Sequence, residues 1–514
     1  MQRTAVLICS FLMVSAAMAQ TRAAVSPVER AFAKAKDNPP VLRAFLAGMP
    51  KGSDLHTHLT GAVYAENFID AAALDLMCVD KTTMTFVVNK GTTRTQPPQP
   101  VCGDSTVPAS DAYKDQAFYD ALVDALSMRA FVPHAGVNGH DQFFATFDRF
   151  DAVPESENGR WVDELATRAA AQNEQYLEIM HTPDMTSMLK LATTLTHMSD
   201  YAKARETLFA NGMKDVLAEH RADFDALNKF RDEHEHCGTT AATAVCKVQI
   251  RYQFQILRAF SPAEVFTQTV LGFEIAAVDP NVVGINFVMP EDSYGSMSQY
   301  HEQMKLVGYL HSVYPKVHIT LHAGELAMGM VPPEGLRFHI REAVEVAHAE
   351  RIGHGVDVMY EDDASGLLRE MATKHVMVEI NLTSNDVILG VKGKDHPLAN
   401  YRAAHVPVAL STDDEGVSRI DITNEYERAV LEQGLGYKDL KTMARTGLEH
   451  SFLAGESLWA AQDEFAHARS GCVVSTEKPS SACAAFLATS DKATQQWELE
   501  RRFRVFEAGF ATVK

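Results

Sequence analysis

Val317-His318-Ile319-Thr320-Leu321-His322 alternates apolar and polar positions, is rich in β-branched residues, and breaks at Gly324. That pattern predicts a short buried strand leaving a histidine and a glutamate, His322 and Glu325, at its exit. Comparable runs predict strands at 53–58, 175–180, 248–254, 282–288, 351–354, 376–381 and 406–412. Between them the period lengthens toward that of a helix. Ser26-Pro27-Val28-Glu29 and Ser261-Pro262-Ala263-Glu264 are capping boxes with a first-turn proline. The first predicts a helix ending before Asn38-Pro39-Pro40. Helices are also predicted over about 111–131, 140–150, 159–174, 298–313, 336–348, 364–373, 397–404, 423–434, 437–447 and 456–467.

Eight strands, most separated by helices, predict an α/β chain folded as a (β/α)8 TIM barrel with helical insertions and an N-terminal helical extension. The expected organisation is a signal peptide over 1–19, the extension over 20–48, the barrel over 49–455 and a C-terminal helical segment over 456–514. Insertions are expected near 79–110, rich in Thr, Gln, Pro and Gly, and near 196–247, where residues 196–236 are helical and charged. The run Asp232-Glu233-His234-Glu235-His236-Cys237 offers metal-binding side chains. With no strand to fix them, it reads as a solvated helix end before a disulfide.

In a barrel of this kind the C-terminal ends of all strands open on one face. His56 and His58 on the first strand, His322 and Glu325 on the fifth, His354 on the sixth and Asp413 and Asp414 on the eighth therefore converge. Taken singly, His354 could be a turn residue and Asp413-Asp414 a helix cap; together they are hard to explain so. Three histidines and a carboxylate suit zinc, one Zn2+ per chain, which acidifies a bound water toward a pKa of about 7.

Composition narrows the partners. The 514 residues are 46% hydrophobic and 22% charged, with a net charge of −20 and a sequence pI near 5.5. The acidic balance disfavours nucleic-acid phosphate and anionic membranes. Arg3, the apolar run Ala5 to Ala17 and Ala17-Met18-Ala19 read as a cleavable export signal, which predicts a periplasmic or secreted protein. Cys9 leaves with it. Cys78, Cys102, Cys237, Cys246, Cys472 and Cys483 remain and allow fifteen pairings. They fall into three close couples, so local pairing is the simplest expectation.

Pro50-Lys51-Gly52, His56-Thr57-His58-Leu59, Gly61, His322-Ala323-Gly324-Glu325, Arg351-Ile352-Gly353-His354-Gly355 and Ser411-Thr412-Asp413-Asp414 resemble, in order, the signature blocks of the adenosine deaminase family. The resemblance runs from about residue 48 to 455 and includes Thr423-Asn424-Glu425-Tyr426 and Glu449-His450-Ser451-Phe452. The signal, cysteines and extension resemble its secreted, growth-factor-like branch. The resemblance implies zinc on His56, His58, His322 and Asp413. It implies that Glu325 protonates the purine N1, that His354 orients and stabilises the attacking hydroxide, and that Asp414 accepts a hydrogen bond or proton from the attacking water. The implied partner is a purine nucleoside, adenosine or 2′-deoxyadenosine. A different aminopurine or a modified adenosine, or a signalling protein with a vestigial site, are the alternatives. A homodimer is one assembly the sequence leaves open.

Two positions depart from the family pattern. Thr60 stands where an aspartate often contacts the ribose hydroxyl. Val288-Met289-Pro290-Glu291-Asp292 stands where an Ala-Gly-Asp-Glu run often brings a glycine against the purine. Thr60 and Met289 are therefore expected at the substrate, with Asp414, and the substrate's identity turns on them.

Overall fold

The computed structural model describes residues 25–134, 136–469 and 471–511; the expected signal peptide lies outside them. Eight parallel strands follow one another in sequence order around a sheet: β1 Gly52–His58, β2 Glu174–His181, β3 Gln249–Leu257, β4 Val282–Val288, β5 His318–Ala323, β6 Arg351–His354, β7 Met377–Ile380 and β8 Val408–Leu410. The seam between β8 and β1 is closed at one point. Asp413 N–H donates to His56 O at 2.8 Å, and His58 N–H donates to Asp413 O at 3.3 Å. The Asp54 carboxylate reinforces the seam by accepting from Thr412 N–H and from His56 N–H, both at 3.0 Å. The register of β1 on β2 slips between Asp54 and Thr57, an irregularity that spans Leu55 and His56.

The strands are short, and their buried apolar positions face the helices outside. Several inward positions are polar and are treated with the site below. The crossover from β2 to β3 carries the helices Tyr201–Ala210 and Met213–His234, the longer of which packs on the helix Asn158–Ala171. Residues 78–108 form a three-stranded antiparallel sheet centred on Cys78–Asp80. The disulfides are Cys78–Cys102, Cys237–Cys246 and Cys472–Cys483, separated by 24, 9 and 11 positions. No helix among the described residues is long and apolar enough to cross a membrane.

At the opposite end of the barrel from the strand exits, the helices Pro27–Ala35 and Pro39–Gly48 pack with the C-terminal helix Asp491–Ala511. Phe45 meets Phe32 at 5.6 Å and Phe506 at 5.3 Å between ring centroids. Gln175 Nε2 donates to Gln495 O at 2.7 Å, which ties that last helix to the start of β2.

Local readings differ in several places. Asp115 accepts from Ala117 and Phe118 N–H, so the stretch expected as one helix over 111–131 is a 3-10 turn, Ala109–Lys114, and then a helix, Gln116–Ala125. A helix at Leu382–Leu389, not foreseen, follows β7. Residues 456–467 are not helical, and the 456–514 segment is helical only in part. Trp459–Ala461 pairs antiparallel with Glu464–Ala468. Asp463 takes the left-handed backbone (φ +61°) that turns the chain, and it accepts from His375 Nδ1 at 2.6 Å and His450 Nε2 at 2.8 Å. Those tertiary bonds override a helical pattern that local sequence favours.

Candidate active site and metal centre

Each candidate reactive side chain leaves the C-terminal end of a strand, and the backbone there is strained. His354 (φ +68°) and Asp413 (φ +61°) take conformations usually left to glycine, and Gly324 (φ +73°) provides one for the turn before Glu325. Met289 at the end of β4 does the same at φ +86°. Non-glycine residues in this region cost about 1–3 kcal/mol each and persist where tertiary contacts enforce them. Gly61 meets a different demand. A Cβ there would lie 1.5 Å from Asp414 Oδ1, so only glycine lets Asp414 reach the cluster.

One ligand atom each from His56, His58, His322 and Asp413 lies within 4.8 Å of the others, and all four residues are buried. His58 Nε2 is 3.2 Å and His56 Nε2 3.5 Å from Asp413 Oδ1. The other nitrogen of each ring is already engaged: His56 Nδ1 with Glu379 at 2.6 Å, His58 Nδ1 with Gln255 at 2.8 Å and His322 Nδ1 with Asn286 at 2.9 Å. Three Nε2 atoms and a carboxylate are thereby turned toward one point. His56 Nε2 is buried with no hydrogen-bond partner among the described residues. Orientation of histidine ligands by acceptors behind them is the usual support of a metal centre, so the donor set fits a divalent cation. Burial disfavours a charged His56 ring, but the nearby Asp413 and Glu379 carboxylates outweigh that and lift it to about 10. A bound cation would take the place of the proton facing Asp413, with Glu379 holding the hydrogen on His56 Nδ1. Burial, with the neighbouring histidines adding to it, holds His322 well below the ordinary range, in the neutral form a metal requires.

Beside the cluster stand the acid–base groups. Burial, with the Asp413 and Glu291 carboxylates adding to it, holds the Glu325 carboxyl well above its usual range, the direction that favours the protonated acid. Glu291 also shapes the turn, accepting from Gly324 N–H at 3.0 Å and Glu325 N–H at 2.7 Å. Burial outweighs the attraction of His58 and raises Asp414 to about 7. Asp414 precedes the short helix Glu415–Ser418 but makes no capping bond from its side chain. His354 lies 3.5 Å from Glu325 Oε1 and 3.8 Å from Asp413 Oδ2.

Thr60 is half-buried on the turn after β1, and Met289 is half-buried at the end of β4. His234, from the acidic run, pairs with Asp163 at 2.9 Å beside Glu235, on the helical layer outside the barrel. The groups behind the metal ligands were not singled out from the sequence. Their signal was there: Glu178, Asn286 and Glu379 interrupt apolar strands, and a polar residue buried inside a strand needs a partner.

A histidine–carboxylate cluster at the mouth of a (β/α)8 barrel, with a buried glutamic acid beside it, defines a metal-dependent barrel hydrolase. The chain belongs to the adenosine deaminase family, whose profile matches residues 119–467. An adenosine deaminase of Clostridium perfringens is 33% identical over 166 residues, 32% of this chain and 44% of that protein. One of Salmonella typhimurium is 38% identical over 152 residues, 29% of this chain and 42% of that protein. The matched segments thus span less than half the length of these relatives. Among solved structures, an amidohydrolase of Burkholderia ambifaria with bound Zn aligns over 92% of this chain and 95% of its own, at a TM-score of 0.52 and 17% identity. The Arabidopsis N6-mAMP deaminase aligns over 80% and 96%, at a TM-score of 0.51 and 20% identity. At these identities the likeness shows the fold.

Proposed function

We propose that this chain deaminates adenosine and 2′-deoxyadenosine hydrolytically, releasing ammonia and the 6-oxo nucleoside. The observation that carries the reading is the convergence of His56, His58, His322 and Asp413 between the buried carboxyls of Glu325 and Asp414. We assign zinc to the four ligands; when bound it acidifies a water toward a pKa of about 7. Glu325 gives its proton to the purine N1, which makes C6 electrophilic. His354 orients the attacking oxygen. Asp414 takes a proton from that oxygen and passes it to the departing amine. The C6–O bond forms and the C6–N6 bond breaks; N1 keeps the hydrogen from Glu325, and the remaining hydrogen of the attacking water returns to Glu325 as C6=O forms.

The same reading places the protein outside the cytoplasm, periplasmic or secreted, supported by the leader-like first nineteen residues and three disulfides. A second reading, another aminopurine or a modified adenosine as substrate, is favoured by Thr60 and Met289-Pro290, which depart from the family pattern at both ends of the substrate. An ammonia-release screen of the zinc-loaded chain over purines, nucleosides and N6-substituted nucleosides decides between them. Adenosine is expected among the best substrates. Glu325→Gln should retain one zinc per chain and lose about 10²–10⁴-fold in turnover, because an amide has no such proton to give. A zinc-bearing glutamine variant with undiminished turnover refutes the assignment.

A further inference from the structure

His354 ends β6 with its ring fully buried, and its Nε2 has no hydrogen-bond partner among the described residues. Which ring nitrogen carries the hydrogen follows from a chain of bonds behind it. That chain starts at a donor whose hydrogen is not a matter of choice. The backbone N–H of Leu398 donates to His396 Nδ1 at 3.2 Å. A backbone amide only donates, so His396 Nδ1 is a lone pair and the hydrogen of a neutral ring sits on Nε2. Burial, with the Arg428 charge adding to it, pushes His396 down to about 4, so the ring is neutral at physiological pH.

His396 Nε2–H then donates to Asn385 Oδ1 at 3.0 Å. This fixes the orientation of the amide, and Asn385 Nδ2 faces His354 Nδ1 at 2.9 Å. Asn381 Nδ2 reaches the same nitrogen at 3.4 Å. The remaining group facing it, Glu325 Oε1 at 3.5 Å, is too long to compete with the nearer amide. Two amide donors meet His354 Nδ1, so that atom is also a lone pair. A ring whose Nδ1 is a lone pair is neutral and carries its hydrogen on Nε2.

We propose that His396 and Asn385 are positioning residues that lock His354 in the Nε2–H tautomer, so that it presents a hydrogen, and not a lone pair, to the cluster of His56, His58, His322 and Asp413. A buried donor without a protein acceptor is aimed at an atom that arrives with the reactants. It is also barred from acting as a further metal ligand. The functional consequence rests on the reading above that His354 acts on the attacking oxygen; the tautomer itself does not.

The test uses the full zinc-loaded chain labelled with ¹⁵N in its histidine rings, with the His354 signals assigned by their loss in His354→Gln. The wild-type ring should show a protonated Nε2 and an unprotonated Nδ1. Observation of Nδ1–H, or of a cationic ring, overturns the proposal even if neither kinetic variant folds. In kinetics, Asn385→Leu and His396→Leu should each lower kcat on adenosine by about 10²-fold, with KM within about threefold and one zinc per chain retained. His396→Gln should restore most of the rate, because its amide can accept from Leu398 and donate to Asn385. Undiminished kcat in folded Asn385→Leu overturns the positioning role. Absence of turnover in the wild type overturns the functional reading alone, and the ring spectrum still decides the tautomer.

Discussion

Gly61 and Asp414 share a space that holds only one of them with a side chain. With a Cβ predicted 1.5 Å from Asp414 Oδ1 and 2.4 Å from its Cγ, Gly61→Ala must push the carboxylate aside. The three atoms nearest the new methyl all belong to Asp414 and none to the four ligand residues. Zinc content should therefore stay at one per chain while kcat falls by about 10²-fold, the usual consequence of displacing a reacting group by about an ångström. Metal analysis alongside steady-state rates separates the two effects. Thr60, on the same turn, sets a second expectation. A charged hydrogen bond is worth about 1.5–3 kcal/mol and a neutral one about 0.5–1.5. On the proposed reading, threonine in place of a carboxylate would weaken the grip on the ribose, while the proposed ligands, Glu325 and Asp414 do not sense the sugar. The ratio of kcat/KM for adenosine to that for 5′-deoxyadenosine should lie between about one and ten. A ratio in the thousands would show that another residue holds the sugar. At this scale the reactive side chains were legible because chemistry puts histidines and carboxylates at strand exits. Met289 was legible only as a departure from the family pattern. That its backbone keeps a left-handed conformation is a fact of φ that no residue name announces.

Among elements, the strands were the easiest to read, because β-branched alternation and terminal glycines mark them locally. The hairpin at 459–468 was not. Its residues carry a helical pattern, and what bends them is Asp463 held between His375 and His450, partners brought in from 88 and 13 positions away. That arrangement has a pH signature. Burial works against the Asp463 carboxylate, but its bonds to His450 and His375 outweigh that and hold it below its ordinary range. A carboxyl with a depressed folded pKa contributes stability that is present above its unfolded pKa, about 3.9, and is lost as pH falls through the folded value. Asp463→Asn should therefore be less stable than wild type at pH 6, by about 1–3 kcal/mol for two charge-assisted bonds. The gap should narrow steadily as pH is taken below about 4. Urea unfolding of both proteins across that range is the measurement; a gap independent of pH would mean that the bonds are not what the hairpin depends on.

Across the whole molecule, the barrel interior joins the ligands into one polar framework. Glu379 binds His56 on one side and Arg351 Nε on the other at 2.7 Å. Arg351 reaches Glu178 at 2.6 Å, and Glu178 meets Gln253 at 3.2 Å. Gln253 contacts Asn286 at 3.2 Å, which holds His322. Five strands thus contribute the linking side chains, all fully closed to water, of a chain of bonds running from His56 on a sixth strand to His322 on a seventh. The block Arg351-Ile352-Gly353-His354-Gly355 was visible in the sequence, but which strands Arg351 spans depends on barrel closure and register, which no local pattern carries. Arg351→Met removes the guanidinium that bridges Glu178 and Glu379 and leaves those two buried carboxylates without it. Breaking a buried pair in this way costs about 3–5 kcal/mol, and loss of the group behind a histidine ligand typically lowers metal affinity about 10–100-fold. Both effects should appear together, as a lower urea midpoint and as weaker zinc retention against a competing chelator. Adding Glu178→Gln, which neutralises the carboxylate farther from His56, should recover part of the stability and little of the zinc affinity, because Glu379 remains unsupported. If the double variant regained both in full, Arg351 would be acting on the barrel as a whole and not on the orientation of His56.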